Sequence, residues 1–226
     1  MDERDPMDMI CCTVAATRYS QLGARIERAG CRIVEVRLDL VPGGLSSPRA
    51  YIEEASSTGA RVLATLRSSE EGGGYSGPVG DKISLLLKAL EWGAWMIDVE
   101  YRFPGVDEVL ASAPGRVLLS AHYNFAPEPE LVYAALGEMI RDGASIAKLV
   151  ARVERVGENW RLVGANARWP GRAIVFGMGR RGILSRILAP LAGAPFTYAA
   201  LDKPAAPGQP GYWEVVEAWR MLGVVG

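Results

Sequence analysis

A lysine set in an apolar run is the first residue whose type and place suggest chemistry. In SIAKLVARV (145–153), Lys148 stands among Ile146, Ala147, Leu149 and Val150, in a chain with only four lysines against twenty-one arginines. With Arg37 and Arg67 nearby, its ammonium form is disfavoured twice, by desolvation and by like charge, so the neutral amine becomes available as a nucleophile. Such an amine attacks a ketone or aldehyde to give an imine, and the protonated imine acidifies the adjacent carbon. The single histidine, His122 in VLLSAHYN (117–124), is suited to removing that proton. Together they predict Schiff-base lyase chemistry with no metal and no organic cofactor.

Further ionisable residues follow the two-residue period of strands. In IVEVRLDL, Glu35, Arg37 and Asp39 share one face, while Val34, Val36, Leu38 and Leu40 share the other. Three charges packed beneath helices would cost too much desolvation, so that face should point into a lumen. The same parity groups Asp98 with Glu100, Ser120 with His122 and Asn124, and Lys148 with Ile146 and Val150; Arg67 ends its strand. Each has a plainer reading taken singly: an ion-pair ladder for Glu35, Arg37 and Asp39, a satisfied core histidine, or a lysine acting as counter-ion to Glu35 or Asp98. A cluster of this size is more expected of a catalytic site than of a scaffold.

The elements that must position these groups recur regularly. Strand-like runs occupy 9–16, 32–40, 61–68, 95–101, 117–124, 146–153, 173–179 and 195–201. Helical spacing is clear at 80–93, 128–143 and 212–223, and weakest at 154–169, where two glycines interrupt it. Strict alternation of strand and helix implies parallel strands joined by crossovers. Eight units over residues 1–226, without a linker, predict a single-domain α/β protein, a (β/α)8 TIM barrel with its chemistry at the C-terminal strand ends. An open doubly wound sheet is the alternative.

The totals exclude other classes. A net charge of −1 gives no support for a nucleic-acid or anionic-membrane partner. No run of 18 apolar residues occurs, and the opening MDERDPMD is acidic rather than signal-like, so the expected location is cytoplasmic. Three cysteines, two adjacent in ICCTV, make no metal spacing and no even disulfide set.

Seven segments in this order resemble type I 3-dehydroquinate dehydratase: EVRLD (35–39), TLRSSEEGG (65–73), IDVE (97–100), SAHYNFAPEP (120–129), IAK (146–148), GMGRRGILSR (177–186) and AAPGQ (205–209). The resemblance covers essentially the whole chain. It implies a barrel lyase that dehydrates 3-dehydroquinate to 3-dehydroshikimate, often as a homodimer. It further implies that Lys148 forms the imine, that His122 takes the C2 proton and protonates the departing C1 hydroxyl, and that Glu71 orients and charge-tunes His122. Arg186 would grip the substrate carboxylate, and Glu35, Arg37, Arg67 and Gln209 would bind the ring hydroxyls and neighbouring groups. Two positions depart from the family pattern. Ala205 stands where a serine is usual, leaving only its backbone N–H to serve the ligand, and Tyr123 and Asn124 follow His122 where an aspartate is common.

Competing readings rest on GMGRRG (177–182), a literal G-x-G-x-x-G with Asp202 about twenty residues on. Only 44 residues follow Gly182, too few for the βα units that a dinucleotide fold needs. The same loop could instead hold the phosphate of a sugar-phosphate aldolase, and a barrel that binds a sugar acid without turnover is a third reading. The segments 68–77, 125–129 and 202–211 should ring the mouth, the last closing over a ligand through Gln209. Ile183, Leu184, Ile187, Leu188, Trp213, Trp219 and Met221 form an apolar surplus that hints at self-association.

Overall fold

The β-branched runs become strands and the amphipathic runs between them become helices, throughout residues 5–225, which the computed structural model describes. The strands are β1 (Ile10–Val14), β2 (Ile33–Arg37), β3 (Arg61–Thr65), β4 (Met96–Glu100), β5 (Val117–Tyr123), β6 (Ile146–Arg152), β7 (Ala173–Met178) and β8 (Thr197–Ala200). The helices are α1 (Leu22–Ala29), α2 (Pro48–Ser57), α3 (Val79–Glu91), α4 (Val106–Ser112), α5 (Pro129–Arg141), α6 (Asn159–Asn166), α7 (Ile183–Leu188) and α8 (Tyr212–Met221). Proline opens α2 and α5, where its missing N–H costs nothing. The weakly patterned 154–169 segment yields only the short α6, entered through a 3-10 turn at Val156–Glu158. The acidic opening Met1–Arg4 lies outside the described residues.

All pairings are parallel, in the order β7-β6-β5-β4-β3-β2-β1-β8, so the sheet curls into a nearly closed (β/α)8 barrel. Side-chain alternation then builds two cores. Val34, Val36, Ala64, Val99 and Leu119 pack outward under the helices. Cys11, Ile33, Leu63, Met96, Leu118 and Ile174 face inward and fill the barrel floor, leaving the next inward positions, nearer the C-terminal ends, to polar groups.

The remaining seam lies between β7 and β8, which share no ladder. Side chains satisfy the exposed edge of β7 instead. Asn166 receives a hydrogen bond from the Val175 N–H and donates to the Val175 carbonyl. Ser185 accepts from the Gly177 N–H, and Arg186 Nε donates to the Gly177 carbonyl at 3.0 Å. Buried backbone groups require such partners, and here that requirement holds Arg186 at the mouth. Gly177 permits the close approach, since a Cβ there would meet Gly182 Cα at 2.8 Å.

The cysteine expectation needs correction. Cys12 and Cys31 form a disulfide, while Cys11 is free and buried. Adjacent strand residues face opposite ways, so Cys11 enters the lumen and Cys12 enters the outer core, where the chain arrives after α1. Closing a loop of 19 residues should contribute about 3 kcal/mol. Cys31→Ser should therefore lower stability by roughly that amount in urea titration, with reductant lowering the parent protein to match.

At the C-terminal end, Trp219 belongs to the core and donates to the Ile187 carbonyl, whereas Trp213 and Met221 are exposed. Among the described residues, no helix is long and apolar enough to cross a membrane.

Candidate active site

Register brings the predicted residues to one level of the barrel. Lys148 pairs with Ser120 across β5 and β6, with His122 one inward step higher, and Thr65 pairs with Asp98 across β3 and β4. Lys148, Asp98, Glu35, Arg37 and Arg67 are all buried.

Asp98 ties the site together. It accepts from Lys148 Nζ at 2.8 Å, from Arg67 at 2.6 Å and from the Ser120 hydroxyl at 2.6 Å. Burial alone would raise its pKa, but Arg67 and Lys148 overcome this and hold the carboxyl well below the usual range. A carboxylate thus lies directly against Lys148, the contact that the counter-ion reading allowed for. In turn, burial opposes the Arg67 charge, but Asp98, Glu100 and Glu71 more than offset it and raise the pKa of that guanidinium.

Glu35 accepts from Thr13 Oγ1 at 2.8 Å and Thr65 Oγ1 at 2.9 Å. Gln209 extends this row, donating to Thr13 Oγ1 at 2.9 Å while its Oε1 accepts from the Ala205 N–H at 2.8 Å. The Ala205 N–H, expected to be left for a ligand, is thus already engaged. The 202–211 segment lies against the end of β7, with the Gly179 N–H donating to the Pro207 carbonyl at 2.9 Å.

Arg37 forms a two-point pair with Asp39, at 2.9 and 2.7 Å. Asp39 follows β2 in a turn rather than continuing the strand face, and it also accepts from the Gly74 N–H at 3.0 Å. That bond helps curl the glycine-rich loop after β3. Gly73 lets the loop fold back, because a Cβ there would lie 2.1 Å from the Arg67 carbonyl oxygen.

The curled loop delivers Glu71, whose Oε2 lies 2.7 Å from His122 Nδ1. The His122 side chain keeps 21% exposure. Burial, reinforced by Arg67 and Lys148, pushes the imidazole well below its ordinary pKa. Burial pushes the Glu71 carboxyl up to about 7 against the pull of Arg67. Both shifts favour a neutral imidazole, whose Nδ1–H donates to Glu71 when that carboxylate is ionised.

Arg186 is the unusual cation. It is 2% exposed, lies 4.3 Å from the Phe176 ring centre, and makes no ion pair with a described residue. Burial lowers its pKa to about 10. A desolvated guanidinium without a carboxylate is costly unless a ligand supplies one. Lys148, His122, Glu35, Arg37, Arg67, Arg186, Ala205 and Gln209 all line one inner chamber of about 70 Å³. Arg37, Arg67, His122 and Glu71 also line an outer vestibule of about 450 Å³.

Sequence reasoning missed several supports. Lys82 of α3 is wholly buried, donating to Glu100 at 2.5 Å and to Ser68 Oγ at 2.6 Å, while the Ser68 N–H donates to Glu100. Its place on the stripe of Leu86 and Ala89 was the available signal. Thr13 and Thr65 share the inward parity that flagged Glu35. The dinucleotide reading of GMGRRG fails structurally: α7 has only six residues, and the Asp202 carboxylate is taken up by the N–H groups of Ala15, Ala16 and Thr17.

Comparison with known proteins agrees with this geometry. Residues 10–225 match the family model described as type I 3-dehydroquinase. The chain is 35% identical over 219 residues to the 3-dehydroquinate dehydratase of Dehalococcoides mccartyi, covering 94% of this chain and 95% of that protein. Identity to the 3-dehydroquinate dehydratase of Pyrococcus abyssi is 30% over 220 residues, covering 95% and 99%. Among solved structures, the enzyme of that name from Aquifex aeolicus superposes with a TM-score of 0.78 at 26% identity, covering 94% and 98%. A lysine, a histidine and an arginine without a carboxylate partner among the described residues, clustered at the mouth of a (β/α)8 barrel, with the family match across 10–225, lead to one conclusion: the chain belongs to the type I 3-dehydroquinase family, and is a hydro-lyase.

Proposed function

We propose that the chain dehydrates 3-dehydroquinate to 3-dehydroshikimate in the shikimate pathway, through an imine on Lys148 with His122 as acid and base. The observation that carries this reading is the shared inner chamber, into which a buried lysine, the sole histidine and an unpaired buried guanidinium all project. Arg186 takes the substrate carboxylate. Glu35, Arg37, Arg67 and Gln209 take the ring hydroxyls and neighbouring groups. Those polar contacts aim the C3 ketone at Lys148 Nζ.

Asp98 holds the ammonium in line until the ketone arrives. The nitrogen sheds one proton before its lone pair adds to the ketone and a second afterwards; the oxygen gains two and leaves as water, so that an ammonium and a ketone give a protonated imine and water. The imine then accepts the electron pair released when His122 Nε2 removes the C2 proton. The same imidazolium returns its proton to the C1 hydroxyl as the enamine pair expels it, water leaves from the same face, and a further water hydrolyses the product imine to free 3-dehydroshikimate and Lys148. Glu71 keeps Nδ1 protonated so that Nε2 faces the substrate as a base.

Borohydride reduction in the presence of 3-dehydroquinate tests the reading. Intact mass and peptide mapping should find one stable adduct, on the peptide carrying Lys148. Folded protein that binds 3-dehydroquinate yet yields no adduct would overturn it.

A further inference from the structure

Three buried side-chain hydroxyls find no hydrogen-bond partner among the described residues: Ser145, Thr197 and Tyr198. Of the three, Tyr198 alone lines the inner chamber. Leaving a buried hydroxyl unpaired costs free energy. At an active site such a group is explained when a reacting molecule supplies the missing partner.

The surroundings fix where this hydroxyl acts. Tyr198 projects inward from β8 and is 3% exposed. Its ring is held edge to face by Phe196 at 5.5 Å and Phe176 at 5.9 Å. Lys148 Nζ lies 4.4 Å from the centre of the same ring. A carbon bonded to Nζ carries its oxygen only one bond further, within reach of a phenol whose ring face Nζ already touches.

The neighbouring donors have other tasks. Arg67 is bound to Asp98 and Ser120, the two threonine hydroxyls are bound to Glu35, and Arg186 suits a carboxylate. Burial, with Glu35 acting in the same sense, raises the Tyr198 pKa well above 10, so the phenol keeps its proton at neutral pH and can donate.

We propose that Tyr198 donates a hydrogen bond to the substrate's C3 oxygen while Lys148 attacks, an inference that rests on the imine reading above. As the N–C bond forms, the carbonyl π pair moves onto oxygen, where the phenol stabilises the growing charge. The oxygen then takes the two protons shed by nitrogen, the C–O bond breaks, and water leaves. Tyr198 retains its own proton throughout, so it is required for imine formation rather than for the later removal of the C2 proton.

Quench-flow borohydride trapping with 3-dehydroquinate separates these possibilities in the parent protein, Tyr198→Phe and Thr197→Val. Tyr198→Phe should slow imine formation by about tenfold or more, as loss of one donor to a developing charge does. Its thermal midpoint should not fall, because the ring stays and no partner is orphaned. Thr197→Val removes an equally unpaired hydroxyl outside the chamber and should trap at the parent rate. Parent-like trapping by Tyr198→Phe, or equal slowing by both variants, would overturn the assignment while leaving the imine intact. A parent protein that is never trapped would overturn the imine reading, and this inference with it.

Discussion

Lys148→Met should reduce turnover of 3-dehydroquinate by roughly 10⁴-fold or more, because the imine supplies the electron sink and nothing else in the chamber replaces it. Methionine keeps most of the volume and the apolar stem. It leaves Asp98 without one of three donors, but Arg67 and Ser120 still hold that carboxylate. The stability cost should therefore fall below the roughly 3–5 kcal/mol of a fully broken buried pair. Circular dichroism and calorimetric titration should show a folded protein that still binds 3-dehydroquinate, since Arg186 and the Glu35–Gln209 row are untouched. Product absorbance within about tenfold of the parent rate would remove the lysine from the chemistry.

His122→Ala should lower turnover by about 10²–10⁴-fold, the usual contribution of a positioned acid–base group. Unlike the lysine variant, it should still form the borohydride-trapped adduct, because the histidine acts after the imine exists. An untrapped His122→Ala protein would place the histidine in imine formation instead.

The pH profile of the parent tests the same residue. Glu71, raised to about 7, and His122, held well below its ordinary value, lie 2.7 Å apart and titrate as a pair. As pH falls through about 7 the pair gains a proton, Nε2 no longer serves as a base, and kcat/KM should fall by up to about tenfold per pH unit. Stability is not the quantity lost; base availability is. Glu71→Gln should move this limb to lower pH, where the imidazole alone titrates, and an unmoved limb would detach Glu71 from His122.

Much of this arrangement was legible in the chain itself. The two-residue alternation of IVEVRLDL and SIAKLVARV told which side chains face inward, because parity depends only on covalent geometry and on which face is apolar. Regular strand and helix alternation gave the barrel for the same local reason. Asp39 marks the limit of that logic: parity held through Arg37, but β2 ended there and a turn carried Asp39 to the glycine-rich loop.

Partners could not be read from parity. It placed Asp98 and Lys148 inward without showing that they touch, since their contact runs from β4 to β6 across the strand between them and depends on register and shear. The pairing of Cys12 with Cys31 and the hold of Lys82 on Ser68 and Glu100 join segments whose meeting is set by helix packing, while Gln209 turns back onto the Ala205 N–H within one irregular loop.

Residue identity and period thus determined the fold class, the inward set and the kind of chemistry available to an apolar-flanked lysine with one histidine. Tertiary structure decided which carboxylate meets that lysine, which guanidinium remains unpaired and which hydroxyl waits without a partner. These are distance-dependent electrostatic and hydrogen-bonding facts, and distances between groups far apart in the chain exist only once the barrel has closed.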